Sequence, residues 1–469
     1  MSSPVRQLLE LISSSISTLE KTCAENGTQI PDLDAPFSPS SEAFRTNVVA
    51  AEAANIVSAA ALQLAAILTP PQVSLYHIIG GHFRSAAIRV CIESNVTEIL
   101  REAGPQGLHV EDIAAKNGQD PDKLARFLRF LATNHVYREV SPNVFANTRI
   151  SSILDTLKPS EEIIADPVHK HDNTPGLAAF ASHHLDEAFK AAAYAWETLA
   201  DPATRRSGDP SASPFARAFN TKQTLWQFHE RAEESYRNHR FGVGMQGVQA
   251  MQPVNAILDA YNWASLPAES IVVDVGGGVG TSSFPLAEKF STLKIVVQDL
   301  PGVVKHGKKV WEVKMPDKLK SGAAHDFFDR QPQTNASVFL LKQITHDWSD
   351  EYCVKFLTRL RTAATPTTIL LIVDSIMPFA CHDPSGDDDK GIPGAVPREA
   401  PAPLLANFGA VNEMAYNADI DMFLLFNSQE RTIRHFDRLL RSTGWKIKIV
   451  HRQADDSTFL QSIEAIPIV

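Results

Sequence analysis

Two blocks of residues in this chain are suited to chemistry. The first is Ile271-Val272-Val273-Asp274-Val275, followed by Gly276-Gly277-Gly278-Val279-Gly280. An apolar, β-branched run around one acid reads as a buried parallel strand. Glycines at its carboxyl end let the backbone turn sharply and approach a ligand where a Cβ would intrude. Open α/β sheets bind ligands at that end of their strands. The glycine spacing is G-x-G-x-G and not the G-x-G-x-x-G of a pyrophosphate-binding turn. Counted from Gly276 the third position is Thr281, and counted from Gly278 it is Ser283. A second strand, Lys294–Gln298, ends in Asp299, whose carboxylate can accept two hydrogen bonds from ribose hydroxyls. The combination suits S-adenosylmethionine (SAM), a nucleoside without a pyrophosphate. The plainer alternative is a tight strand–helix turn with no ligand.

The second block follows the strand Val338–Lys342 and runs Gln343-Ile344-Thr345-His346-Asp347-Trp348-Ser349-Asp350-Glu351. His346 thus stands just past a parallel strand's carboxyl end, beside the glycine loop. Neutral imidazole takes up a proton near pH 7 without unusual tuning. Methyl transfer to a phenol needs that service, because the hydroxyl proton must leave as the oxygen attacks the sulfonium methyl. A general base works best when another group orients its ring and stabilises its cation. Asp374, closing the strand Thr368–Val373, and Glu430, just before a helix, are available for this. Each also has a purely structural reading: a satisfied core or capping histidine, a strand-end cap, and a helix N-terminal charge.

These blocks need a scaffold. With 469 residues, 44% hydrophobic and 21% charged, the chain is long enough for two to three domains with a substantial core. A net charge of −10 disfavours a nucleic-acid partner held through its phosphates. Cys23, Cys91, Cys353 and Cys381 form no C-x-x-C pair, which argues for reduced thiols in the cytoplasm and against a disulfide frame or a metal site. No signal peptide is visible, and the cytoplasm is the default location. The apolar run Val48–Leu68 is interrupted by Glu52, Asn55 and Gln63 and reads as a helix packed at an interface, with no membrane partner.

Residues 1–42 read as a helix (Val5–Asn26) and a Pro/Ser-rich linker. Residues 43–157 contain a recognisable module: a short segment at Leu108, a helix around Glu111–Ala115, a break at Asn117-Gly118, and a longer helix capped by Asp120-Pro121. That second helix carries Leu124, Phe127, Leu128 and Leu131 on one face, and a hairpin turns around Ser141-Pro142-Asn143. This order predicts a winged helix-turn-helix. Its recognition helix has Lys123, Arg126 and Arg129 but also Asp120 and Asp122, so dimerisation is a better reading than DNA binding. Residues 158–265 are a mainly helical connector, assigned to the substrate pocket. From 266 to 469 strand and helix alternate, the sign of an α/β, mostly parallel sheet. Strands are predicted at 271–275, 294–298, 337–342 and 368–374, with a terminal pair near 446–451 and 458–465. Residues 379–403, acidic and proline-rich, read as a mobile surface insertion.

Taken together, Asp274–Gly280, Asp299-Leu300-Pro301, the His346–Glu351 block and Glu430-Arg431-Thr432 resemble the caffeate/flavonoid-type SAM-dependent O-methyltransferases, and most of all the fungal sterigmatocystin O-methyltransferase-like branch. The resemblance covers nearly the whole chain from about residue 45. It implies a Rossmann-like class I methyltransferase domain behind an N-terminal winged-helix dimerisation domain, and hence a homodimer. It implies His346 as base, flanked by Asp374 and Glu430. For the cofactor it implies Asp274, Gly276, Gly277, Gly278, Gly280, Asp299, Leu300, Asp326, Phe327 and Lys342. Phe241, Met245, Trp348, Phe423 and Asn427 match the family's phenol pocket more loosely. The chain departs from plant members in having Asp374 where they carry Glu, a shorter loop before Glu430, and the 379–403 insertion. The expected activity is methyl transfer from SAM to a hydroxyl of a small phenol or aromatic polyketide, with S-adenosylhomocysteine as product and no metal. A pericyclase-like relative that keeps its methyl group is the alternative on the same fold, and a small-molecule-sensing DNA-binding regulator is the alternative from another class.

Overall fold

The computed structural model describes residues 3–252, 255–315, 322–384, 391–452 and 460–469. The chain forms two compact units, one of Met1–Tyr194 with Ala218–Met251, the other of Ala195–Arg217 with Gln252–Val469. Each is therefore assembled from two separate stretches of sequence.

In the first unit, helix Pro4–Asn26 is capped by Ser3 and stopped by Gly27 in the left-handed region (φ +63°). It packs on helix Val48–Leu68, with Leu19 and Cys23 set against the small residues Ala50, Ala53 and Ala54. Helix Val48–Leu68 is long and apolar enough to cross a membrane by length and composition, and 22% of its most apolar window is buried. Part of the expected linker is helical, a 3₁₀ stretch at Pro39–Thr46.

The module that follows has the order read from sequence. Strand β1 (Leu108–His109) leads to helix Val110–Asn117, ended by Gly118 at φ +73°. Helix Pro121–Thr133 then starts under the Asp120 cap. Strands β2 (Tyr137–Ser141) and β3 (Val144–Asn147) form the hairpin, with β3 between β1 and β2. Leu124, Leu128 and Leu131 are buried with Ile99, Tyr137 and Phe145, while Phe127 only borders that core. Arg129, one of the three cations named on helix Pro121–Thr133, is spent on Glu139 (3.0 Å) and Asn143 (2.7 Å).

Helices Leu177–His183 and Ser235–Ala250 close the unit at very short range: a Cβ on Gly247 would lie 2.5 Å from the Gly176 backbone, so only glycine fits. Beside that contact a π-helical turn, His184–Ala188, places Asp186 and Glu187 in the interior. There Glu187 meets Arg240 and lies 3.2 Å from His183 Nδ1 and 3.6 Å from His229 Nε2. Asp186 bonds Arg89 and Arg237. A buried carboxylate persists only with such partners.

The second unit is a seven-stranded sheet in the order β6-β5-β4-β7-β8-β10-β9. Its strands are β4 (Ile271–Val275), β5 (Lys294–Asp299), β6 (Gly322–Ala324), β7 (Val338–Lys342), β8 (Ile369–Asp374), β9 (Trp445–His451) and β10 (Gln461–Pro467). Strands β4 to β8 are parallel, and β10 runs antiparallel between β8 and β9. Both faces are covered, which explains the unbroken apolar runs. Val273, Val275, Phe339, Leu341, Leu370 and Ile372 point to the side of Phe356, Leu360 and Phe436. Their neighbours Val272, Val338, Leu340, Leu371 and Val373 point to Trp263 and Leu286 on the other side.

Strand β6 is not among the strands that the sequence pattern predicts. The predicted strand start at 458–459 lies outside the described residues, as do 385–390 of the insertion. The insertion's later part is not loose surface: Val450 N–H donates to Pro393 O (2.9 Å), Arg452 binds the carbonyls of Gly394 and Ala395, and Ala395 is buried. It covers the otherwise open edge of β9.

Candidate active site

The glycine loop leaves β4 in a shape that side chains resist. Gly276, Gly278 and Gly280 have φ of +70°, +60° and +85°. A Cβ at Gly280 would stand 2.5 Å from the Trp311 indole nitrogen, which donates to Val279 O (2.9 Å). At Gly277 it would strike the Asp274 carboxylate, and at Gly276 it would strike Ile344 beside the Phe327 ring. At Gly278 it would meet open space, so there the backbone itself is presented.

Two acids brace this loop. Asp299 accepts from Gly278 N–H (2.8 Å) and Leu300 N–H (2.7 Å), and burial raises its carboxyl against those bonds. Asp274 is wholly buried below, and burial pushes its carboxyl up to about 6 against the Ser283 hydroxyl bond (2.7 Å) and the charge of Lys342. Ser283 stands where a dinucleotide loop would need its third glycine and instead anchors the acid. Lys342, at the end of β7, is lowered by burial against the pull of Asp274 and Asp374, and its ammonium donates to Gln343 Oε1 (3.0 Å).

Strand β7, paired with β4, leads into the His346 turn. Nδ1–H of His346 donates to Glu430 Oε1 at 2.8 Å. A carboxylate can only accept, so in the neutral ring this bond fixes the tautomer and leaves Nε2 as the basic nitrogen. Asp347 Oδ1 lies 3.5 Å from Nε2. Burial disfavours the imidazolium, yet Glu430 and Asp347 outweigh it and raise His346 to about 10. Burial drives the other acids up: Asp374 to about 7 and Asp347 to about 6, each against the pull of His346.

Asp374 bonds the neighbouring Thr345 and not the ring itself. Its Oδ2 accepts from the Thr345 hydroxyl, and its buried Oδ1 makes no hydrogen bond. It acts on the imidazole through charge, one residue removed, as the shorter side chain foretold. Among the described residues, the hydrogen bond to the ring comes from Glu430.

Arg431 completes the turn, a role the sequence reading did not assign. Fully buried, its guanidinium donates to the carbonyls of Thr345 (2.6 Å) and Trp348 (2.7 Å) and to Asp350 (2.9 Å). Ser428 donates to the His346 carbonyl. The signal was the Glu430-Arg431-Thr432 block itself.

The remaining residues divide. Phe327 lies by the glycine loop, and Trp348 stacks on Tyr352 (5.5 Å) and meets Phe327 and Phe328 edge-on. Asp326 turns its carboxylate to Phe328 N–H (2.9 Å). Leu300 is half-exposed at the start of helix Pro301–Lys314. Phe423 is half-buried near the end of helix Glu413–Phe426. Asn427, expected in the phenol pocket, gives its amide N–H groups to the carbonyls of Ser207 (2.7 Å) and Asp209 (2.9 Å). Phe241 and Met245 belong to the first unit, where Phe241 packs against Trp226, His183 and His229.

A parallel sheet with a glycine turn after its central strand, an acid closing the next, and a carboxylate-held histidine past a later one define a Rossmann-like methyltransferase. A family model for the O-methyltransferase domain matches residues 196–390, and one for the O-methyltransferase dimerisation domain matches residues 76–156. "4-O-methyltransferase 1" of Phanerochaete chrysosporium is 54% identical over the full length of both chains. "Sterigmatocystin 8-O-methyltransferase" of Aspergillus flavus is 31% identical across 64% of this chain and 65% of its own. The solved mitomycin 7-O-methyltransferase MmcR shares the fold, with a TM-score of 0.62 at 22% identity over 85% of this chain and 98% of that one. The chain belongs to the SAM-dependent O-methyltransferase family.

Proposed function

We propose that the chain methylates a hydroxyl of a small phenol or aromatic polyketide, with His346 Nε2 receiving the hydroxyl proton. The observation that carries this is the 2.8 Å bond from His346 Nδ1 to Glu430, which orients the ring and balances its charge. Backbone at Gly276–Gly280, Asp299, Phe327 and Lys342 would hold SAM: the open face at Gly278 and the paired carboxylate oxygens of Asp299 suit a ribose. When bound, the cofactor supplies a methyl group on a cationic sulfur. The protein's part is to align the hydroxyl and hold its proton. Asp347 and Asp374, both raised by burial, let the cluster share a proton instead of carrying three anions around one imidazolium.

The chain works as a homodimer through its first unit. Helix Pro71–Ile79 buries no residue of its own, and Leu75, Tyr76, Ile78, Ile79 and Phe83 are all more than half exposed. His346→Ala tests the base: methyl transfer falls by about 10²- to 10⁴-fold while SAM affinity by calorimetry stays within error. Turnover at the wild-type rate would refute the assignment.

A further inference from the structure

Residues 195–217 belong to the second unit although the chain on both sides of them belongs to the first. Within this excursion three successive carbonyls accept side-chain hydrogen bonds. Asn427 donates to Ser207 O and Asp209 O, and Ser349 Oγ donates to Gly208 O at 2.9 Å. Gly208 is seated so close that a Cβ would lie 2.6 Å from Ser349 Oγ. The excursion is braced internally by Arg217 on Asp201 (2.7 Å) and by Asp209 capping Ser211 (2.8 Å).

The two donors are spaced tellingly. Ser349 follows His346 by three residues, and Asn427 precedes Glu430 by three. Both give up ordinary local work. Ser349 is the N-cap residue of helix Asp350–Ala363 but makes no cap hydrogen bond. Asn427 ends helix Glu413–Phe426 in the left-handed region at φ +56°, and its side chain leaves that helix for residues 207–209. Next to it, Ser428 holds the His346 carbonyl. One stretch of backbone therefore ties the segment carrying the imidazole to the segment carrying its carboxylate.

We propose that residues 207–209 are a strap that fixes the spacing of His346 and Glu430, with Ser349 and Asn427 as positioning residues. The proposal rests on the reading of His346 as base. A loosened strap lets the Nδ1–Glu430 bond lengthen, which weakens both the ring's orientation and the carboxylate's hold on its proton. Cofactor binding is untouched, because the strap contacts among the described residues run to Ser349 and Asn427 and not to the glycine loop.

Two variants isolate the effect in the full-length enzyme. Asn427→Gly keeps the left-handed backbone and removes only the amide. Ser349→Ala removes a hydroxyl that caps nothing, and it stands in should the first fail to fold. Each lowers kcat by between about 10- and 100-fold, as small misplacements of a reacting group do. KM for SAM is unchanged, and the His346 ring titrates at lower pH by NMR. Wild-type kcat with an unmoved titration overturns the strap, as does a raised KM for SAM with kcat kept. Full activity of His346→Ala would instead overturn the base reading, while the titration in Asn427→Gly still reports on the strap.

Discussion

At the scale of single residues the site is a histidine among three acids, and its charge state is set by distance. Glu430, in direct contact, is the largest charge favouring the cation, so the ligand-free imidazole holds its proton far above its ordinary range, to about 10, and Nε2 becomes an acceptor only once that proton has left. The sign follows: a raised folded-state value means that this group stabilises the fold below about 6.5, and that the contribution is lost as pH rises toward 10. Glu430→Gln removes the main charge opposing deprotonation. His346 then titrates at least one unit lower by NMR, about 1.4 kcal/mol of lost ion-pair preference, and kcat falls because the amide no longer balances the imidazolium. An unmoved titration would show that Asp347 sets the charge instead. The histidine, Glu430 and the glycine loop were legible from residue type and spacing. The short reach of Asp374 was legible too, as an Asp where plant members carry Glu; the use of Asn427 was not, because a left-handed helix end and its partners are decided by three-dimensional neighbours.

At the scale of elements, strand ends do the positioning. Strand periodicity gave six of the seven sheet strands near their observed bounds, since strands buried on both faces are continuous apolar runs. Strand β6 escaped because three residues, Gly322-Ala323-Ala324, carry no such signal. Arg431 escaped because an arginine is ordinarily read as surface, whereas here it is buried under the turn it holds. Arg431→Met keeps the volume but leaves the Thr345 and Trp348 carbonyls without their donor and Asp350 without its partner. We expect a loss of about 3 kcal/mol in urea unfolding together with reduced kcat. Unchanged stability would mean that water replaces the guanidinium at no cost.

At the scale of the whole molecule, the apolar face on helices Pro71–Ile79 and Gly81–Glu93 is the feature that asks for a second copy. Tyr76→Glu combined with Ile78→Glu sets a carboxylate on that face in two places. Light scattering should then give the 51.4 kDa of one chain, and a mass still double that would place the dimer contact elsewhere. The division into two units was only partly legible. The helical and α/β halves show in the sequence pattern, but the excursion at 195–217 looks like any loop between helices. That excursion has a genetic consequence. Because the chain passes between units after Tyr194, Arg217 and Met251, no single cut separates them: a piece ending at residue 194 lacks the helix whose Gly247 locks against Gly176. Exchange of parts between such enzymes by one crossover at the first boundary would therefore yield two misfits, and a matched chimera takes residues 218–251 from the N-terminal parent but 195–217 from the other.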